Sequence, residues 1–212
     1  MSKIALIALS GKPVHLGHWA LIDLASKKCD EVHLYVSTSD RSRPGEITIL
    51  GSDMQKIWSE QLEPKLPSNV VVTYGGSPVA NVYAELGSAS ESENTEDTFF
   101  IFSDPEDAAK NFPEKSLIKY AGNLWSNKQI KLMPIERSQT ANMSGTKMRQ
   151  FLASGDKASF VGNLPIDVDR DAIWNILSHS VKIATPVKST SKKKKATEAL
   201  IKDFVSLIVG NK

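Results

Sequence analysis

Two histidines three residues apart, His15 and His18, with Gly17 between them, are the first chemically suggestive feature of this 212-residue chain. They follow an apolar run at 4–9, long enough for one buried strand. They precede 19–25, which has helical apolar spacing. Gly11 and Pro13 mark the change from strand to helix. At the carboxyl end of a parallel strand, backbone N–H groups and the positive end of a helix dipole face the crevice where α/β sheets bind ligands. Imidazoles placed there can donate hydrogen bonds to phosphate oxygens from two directions. Helix capping is the plainer alternative for either one. A metal site would need further ligands, and the lone Cys29 stands in no ligand-like cluster. Ser10-Gly11-Lys12 lacks the spacing of a P-loop.

A second constellation is Ser144-Gly145-Thr146-Lys147-Met148-Arg149. Ser144 is placed as an N-cap, with Met148, Phe151 and Leu152 carrying a helical pattern to Gly155. The Ser144 and Thr146 hydroxyls, together with the open N–H groups of a first turn, suit a polyphosphate, and Arg149 one turn on adds a full charge. A plain capped surface helix would account for Ser144 but would not need Thr146 and Arg149.

Together the two segments resemble the signatures of the nucleotidylyltransferase superfamily, enzymes with an HxGH motif and an ISxTxxR motif near the end of the catalytic domain. His15-Leu16-Gly17-His18 matches the first in full; Ser144-Gly145-Thr146 with Arg149 matches the second, Met143 replacing Ile. The resemblance covers about residues 3–160. It implies attack by an acceptor phosphate on the α-phosphorus of ATP or CTP, with loss of pyrophosphate. His15 and His18 would contact the triphosphate at the reacting phosphorus, and Ser144, Thr146 and Arg149 would hold the leaving phosphates. Lys12 would serve either phosphate, and Ser10, Gly11, Gly17 and Gly145 would let the nucleotide approach the backbone. Mg2+ would ride on the triphosphate oxygens, with no protein metal site. The 13–18 stretch looks most like nicotinamide-nucleotide adenylyltransferases, so AMP transfer to a phosphorylated small molecule is favoured. Cytidylyl transfer to a phospho-alcohol is the alternative. Family members often carry Gly-x-Phe-x-Pro before the first histidine, whereas this chain has Leu9-Ser10-Gly11-Lys12-Pro13. A non-catalytic nucleotide- or RNA-binding assembly protein on the same fold is the reading from another class.

The elements that must position these residues follow from the remaining pattern. Strands are expected at 31–37, 69–74, 98–103 and 129–135, which with the first strand make a doubly wound, Rossmann-like parallel sheet of about five strands. The run 98–103 is apolar enough to be a central strand. Asp104, just beyond it, either caps the next helix or reaches a ribose or amino group. The polar loop 38–46 brings Arg41 and Arg43 past a strand end, either to pair with phosphate or to remain solvated. A helix is expected over 52–62, with Trp58 in the core, and another over 79–86 behind Ser77 and Pro78. The acidic, serine-rich 87–97 reads as a surface loop, and a further helix is expected at 168–177.

Residues 1–162 form the expected catalytic domain, with 163–184 as its C-terminal helical extension. A linker at 185–195 and an amphipathic helix at 196–212 follow, the latter a candidate for self-association. The net charge of +2 hides six lysines and no acid in 182–195, leaving about −4 on the rest. The body is therefore not a nucleic-acid binder by charge, and only the lysine run could touch nucleic acid. One cysteine excludes an internal disulfide, and no run approaches membrane length, so a cytoplasmic, non-membrane protein is expected.

Overall fold

The computed structural model describes residues 1–92, 96–136, 141, 143–179 and the backbone of 182–183. The linker at 185–195, the amphipathic helix at 196–212 and most of the lysine run lie outside the described residues. So do 137–140 and 142 of the loop before the second motif.

In chain order the first half contains β1 (Lys3–Leu9), α1 (Leu16–Lys28), β2 (Glu31–Val36), β3 (Ile47–Thr48), α2 (Gly51–Ile57), β4 (Val70–Tyr74) and α3 (Pro78–Glu91). The second half contains β5 (Thr98–Ser103), α4 (Pro105–Asn111), α5 (Glu114–Ser126), β6 (Ile130–Pro134), α6 (Gly145–Ser154), α7 (Lys157–Gly162), α8 (Arg170–His179) and β7 (Lys182–Ile183). Five strands pair in parallel in the order β4-β2-β1-β5-β6. Counting only these strands along the chain, the order is 3-2-1-4-5, a Rossmann-like α/β sheet that reverses direction between β1 and β5.

Period-2 alternation sends β1 side chains into two cores. Ala5, Ile7 and Leu9 join Ile22 and Ala25 of α1, Met54 and Ile57 of α2, Met148 and Leu152 of α6, and Ile173 and Leu177 of α8. Ile4 and Leu6 join Val82 and Leu86 of α3 and Leu117, Ala121 and Leu124 of α5. Both faces are covered, as an all-parallel sheet requires. Among the described residues no helix is long and apolar enough to cross a membrane.

Four features differ from the sequence expectation, besides α5 and α7, at which no helix was expected. Residues 87–91, expected in a surface loop, continue α3. Packing against α5 overrides their polar composition: a Cβ on Gly87 would sit 3.3 Å from the Tyr120 carbonyl oxygen, and Asn123 donates to the Ser90 carbonyl. The helix expected at 52–62 is α-helical only to Ile57, after which 58–62 form a π turn and Glu63–Lys65 a 3₁₀ turn. Pro64 has no N–H with which to continue the α ladder, and the Glu63 N–H bonds instead to Trp58 O. Trp58 is nevertheless fully buried. The helix expected at 168–177 runs from Arg170 to His179. Finally, β3 and β7 form a short antiparallel ribbon apart from the main sheet.

Candidate functional site

A cavity of about 390 Å³ opens past the carboxyl ends of β1 and β5, at the point where the strand order reverses. Ser10, Gly11 and Lys12 of the β1–α1 turn form one wall, with His15, Gly17 and His18 at the start of α1. Ser103, Asp104 and Asp107 form a second wall, and Ser144, Gly145, Thr146 and Arg149 a third; Arg41 reaches it from the loop after β2. Every residue that the sequence analysis assigned to nucleotide or phosphate lines this space except Arg43. That residue lines an adjoining hollow of about 230 Å³ with Ser10, Lys12, Ser39 and Arg41.

The β1–α1 turn is held from below. Gly11 has φ +54°, in the left-handed region, and a Cβ there would lie 3.2 Å from Trp58 Nε1. The following Lys12–Pro13 peptide is cis. His15 then caps α1, its Nδ1 accepting the Gly17 N–H at 3.1 Å. That bond makes Nδ1 the unprotonated nitrogen, so a neutral His15 carries its proton on Nε2. The His15 and His18 rings stack with centroids 3.7 Å apart. Gly17 has no side chain to obstruct them, and a Cβ there would come within 3.0 Å of two His15 ring atoms. His18 Nδ1 is out of solvent and unpartnered among the described residues. Burial, with His15 alongside, pushes its pKa well below that of a free imidazole, so His18 is neutral at pH 7.

The two helix starts are not equivalent. In the first turn of α1, Leu16 N–H goes to Asn163 O, Gly17 N–H to the His15 ring and His18 N–H to His15 O. The expectation that backbone N–H groups would be offered to a ligand there is therefore corrected: α1 presents imidazoles and its dipole. At α6, Ser144 caps the turn through Lys147 N–H. The N–H groups of Gly145 and Thr146 make no hydrogen bond among the described residues, so α6 supplies the open donors.

Arg149 binds the two segments together. Its side chain is 6% exposed. It donates through Nη1 to Lys12 O at 2.9 Å and through Nη2 to Thr146 Oγ1 at 3.0 Å. Gly145 makes room, since a Cβ there would lie 3.1 Å from Nη1. Lys12 is buried too, and its ammonium is held by the Ser37 hydroxyl at 2.8 Å and the Ser39 hydroxyl at 3.3 Å. No carboxylate forms an ion pair with it among the described residues. Burial lowers the Lys12 pKa, with Asp40 opposing and Arg41 adding to the shift.

Sequence reasoning passed over Glu46, Ser37 and Ser39. Glu46 Oε2 accepts from Arg41 Nη2 at 3.2 Å and lies 2.9 Å from Arg149 Nε. The Arg149 Nε–H is not aimed at it, so the second contact is an ion pair rather than a hydrogen bond. For Ser37 and Ser39 the signal was positional, since both lie just beyond the carboxyl end of β2, on the rim that carries function in this architecture; Glu46, directly before β3, carried no such signal. Asp104 caps α4 through Asp107 N–H at 2.8 Å while also lining the cavity. Ser103 Oγ, beside it, is buried and unpartnered among the described residues.

Fold and site together define a Rossmann-like α/β protein with a cation-rich cavity at its switch point. Compared with known protein families and with curated proteins, the chain matches none.

Proposed function

We propose that this protein is a nucleotidylyltransferase that moves a nucleoside monophosphate, AMP from ATP in the favoured case, onto a phosphorylated small molecule. One observation carries the reading. The Arg149 guanidinium lies on the Lys12 carbonyl, so the segment with two imidazoles and the segment with open N–H groups share one cavity. Lys12 supports it independently. A buried ammonium satisfied only by hydroxyls is a poor choice for stability and a good one for an incoming anion.

In this reading an oxygen of the acceptor phosphate attacks the α-phosphorus. The bond from that phosphorus to the bridging oxygen breaks, and pyrophosphate leaves with the electron pair. Catalysis is then positioning and charge neutralisation, with no covalent intermediate on the protein. His18, neutral and packed on His15, donates a hydrogen bond without adding charge to a crowded site. The N–H groups of Gly145 and Thr146, with Arg149, take the leaving phosphates, while Lys12 and Arg41 neutralise the group in transfer. Mg2+ carried by the triphosphate oxygens would supply further neutralisation of the leaving pyrophosphate. The described residues include no group of three or more His, Cys, Asp or Glu side chains placed for a metal, and an ion held by phosphate oxygens and water needs none.

Pyrophosphate release, measured with each nucleoside triphosphate against a panel of phosphorylated acceptors, tests the proposal. ATP with a mononucleotide should be the productive pair, and CTP with a phospho-alcohol identifies the cytidylyl branch. A His15→Ala, His18→Ala double variant that keeps full turnover would overturn the reading. Nucleotide binding without pyrophosphate from any pair would make the protein a binder.

A further inference from the structure

The cations of the cavity are not left bare. Glu46 Oε2 lies against Arg149 Nε at 2.9 Å and accepts from Arg41 Nη2 at 3.2 Å. The carboxylate is presented by a tight turn, in which Glu46 N–H donates to Arg43 O at 3.0 Å across Pro44 and Gly45, the latter at φ +78°. Behind it the chain is anchored by buried Ile47 and by the Arg41–Ile49 backbone bridge. A single acidic side chain is thus delivered onto the two guanidinium groups that the proposed function assigns to phosphate.

We propose that Glu46 is an internal competitor for the polyphosphate: it neutralises Arg149 and Arg41 in the free protein and is displaced when the ligand binds. The inference rests on the reading above that this cavity takes a polyphosphate. Four observations distinguish a displaceable placeholder from a permanent brace. The contact to Arg149 is an out-of-line ion pair, weaker than a directed charge-assisted bond. The Glu46 side chain is 29% exposed and its turn neighbours Pro44 and Gly45 are exposed, so it has somewhere to go. Arg41 Nε is buried and unpartnered among the described residues, a donor that Glu46 does not use and a phosphate oxygen could. The orientation of Arg149 does not depend on Glu46 either, since Lys12 O and Thr146 Oγ1 already hold both terminal nitrogens.

Calorimetric titration of the full chain with inorganic pyrophosphate and with tripolyphosphate, at one ionic strength, tests this in wild type, Glu46→Gln and Glu46→Asp. The glutamine variant is nearly isosteric, and its fold is checked by circular dichroism. The aspartate variant retracts the charge by one methylene. Removing a competitor common to both ligands should tighten both by the same factor, about fivefold to tenfold for Gln, with Asp between Gln and wild type. A crystal with tripolyphosphate should show the Glu46 carboxylate withdrawn from Arg149. Equal or weaker binding by Glu46→Gln, or Glu46 still seated on Arg149 beside the bound ligand, overturns the proposal and leaves the polyphosphate site standing. If wild type and variants all fail to bind either polyphosphate, the functional reading falls and this inference with it.

Discussion

Arg149 Nη1 donates a hydrogen bond to the backbone carbonyl of Lys12 at 2.9 Å, across 137 residues of chain. The bond fixes the distance between the two segments that line the cavity, and it leaves a buried guanidinium facing the same space as a buried ammonium. Replacing arginine by lysine at 149 removes the planar fork that serves Lys12 O and Thr146 Oγ1 together. Arg149→Lys should lower pyrophosphate release by about 10² to 10³. It should also cost about 1–3 kcal/mol in urea unfolding, because the Lys12 carbonyl loses its partner. Turnover near the wild-type level would show that Arg149 is structural only.

Lys12 should behave in the opposite sense on stability. Its ammonium is buried against two serine hydroxyls, with no ion-pair partner among the described residues. Lys12→Met should therefore melt at or above the wild-type temperature while losing the rise in melting temperature that tripolyphosphate gives the wild type. A variant that melts lower but keeps the ligand-induced rise would mean that Lys12 serves the fold rather than the ligand.

Two glycines separate site from scaffold. A Cβ on Gly17 would press within 3.0 Å of the His15 ring, whereas one on Gly51 would lie 1.8 Å from the Thr38 carbonyl oxygen. Gly17→Ala shifts an imidazole in the site, and turnover should fall about tenfold to a hundredfold with little change in unfolding. Gly51→Ala forces two backbone segments apart and should destabilise the fold by about 3 kcal/mol. The comparison needs only denaturant midpoints and a pyrophosphate assay.

Two histidines should give stability opposite slopes with pH. Burial, with His15 alongside, lowers the pKa of His18. Its contribution is full above the free imidazole value of about 6.5 and is lost as pH falls toward its own lower value, because the unfolded chain takes up the proton first. His33 is raised by its 2.7 Å hydrogen bond to Glu85, opposed in part by burial and helped by Glu31. Its contribution is full below about 6.5 and is lost as pH rises through its folded value. His18→Gln should flatten the profile of urea midpoint against pH below about 6.5, and Glu85→Gln the profile above it. Unchanged profiles would remove both assignments.

The parallel sheet and the positions of its ends were legible because they are written locally. Period-2 apolar runs, glycine and proline at their ends, and capping residues such as Ser77 and Ser144 act within a few residues of chain. The two motifs were legible for the same reason: each is a short strand–turn–helix or turn–helix signal whose residue types suit an anion. Helix α5 was not expected from the sequence, although Leu117, Ala121 and Leu124, all buried with residues of α3, carry a helical spacing. By contrast, α3 runs through 87–91 because α5 covers it, and the acidic, serine-rich stretch taken alone reads as a loop.

Sequence by itself determined that the helix following a parallel strand starts with two imidazoles and that a capped helix carries Thr146 and Arg149 near its start. Only the tertiary structure decided that Arg149 meets Lys12, that the ammonium of Lys12 rests on Ser37 and Ser39, and that Glu46 sits on the guanidinium groups. It also decided that α6, and not α1, keeps its first N–H groups open. The division has one physical cause. A cap or an apolar stripe is settled by neighbours along the chain, whereas the partner of a charged side chain is whichever group the packing of distant elements brings within about 3 Å of it.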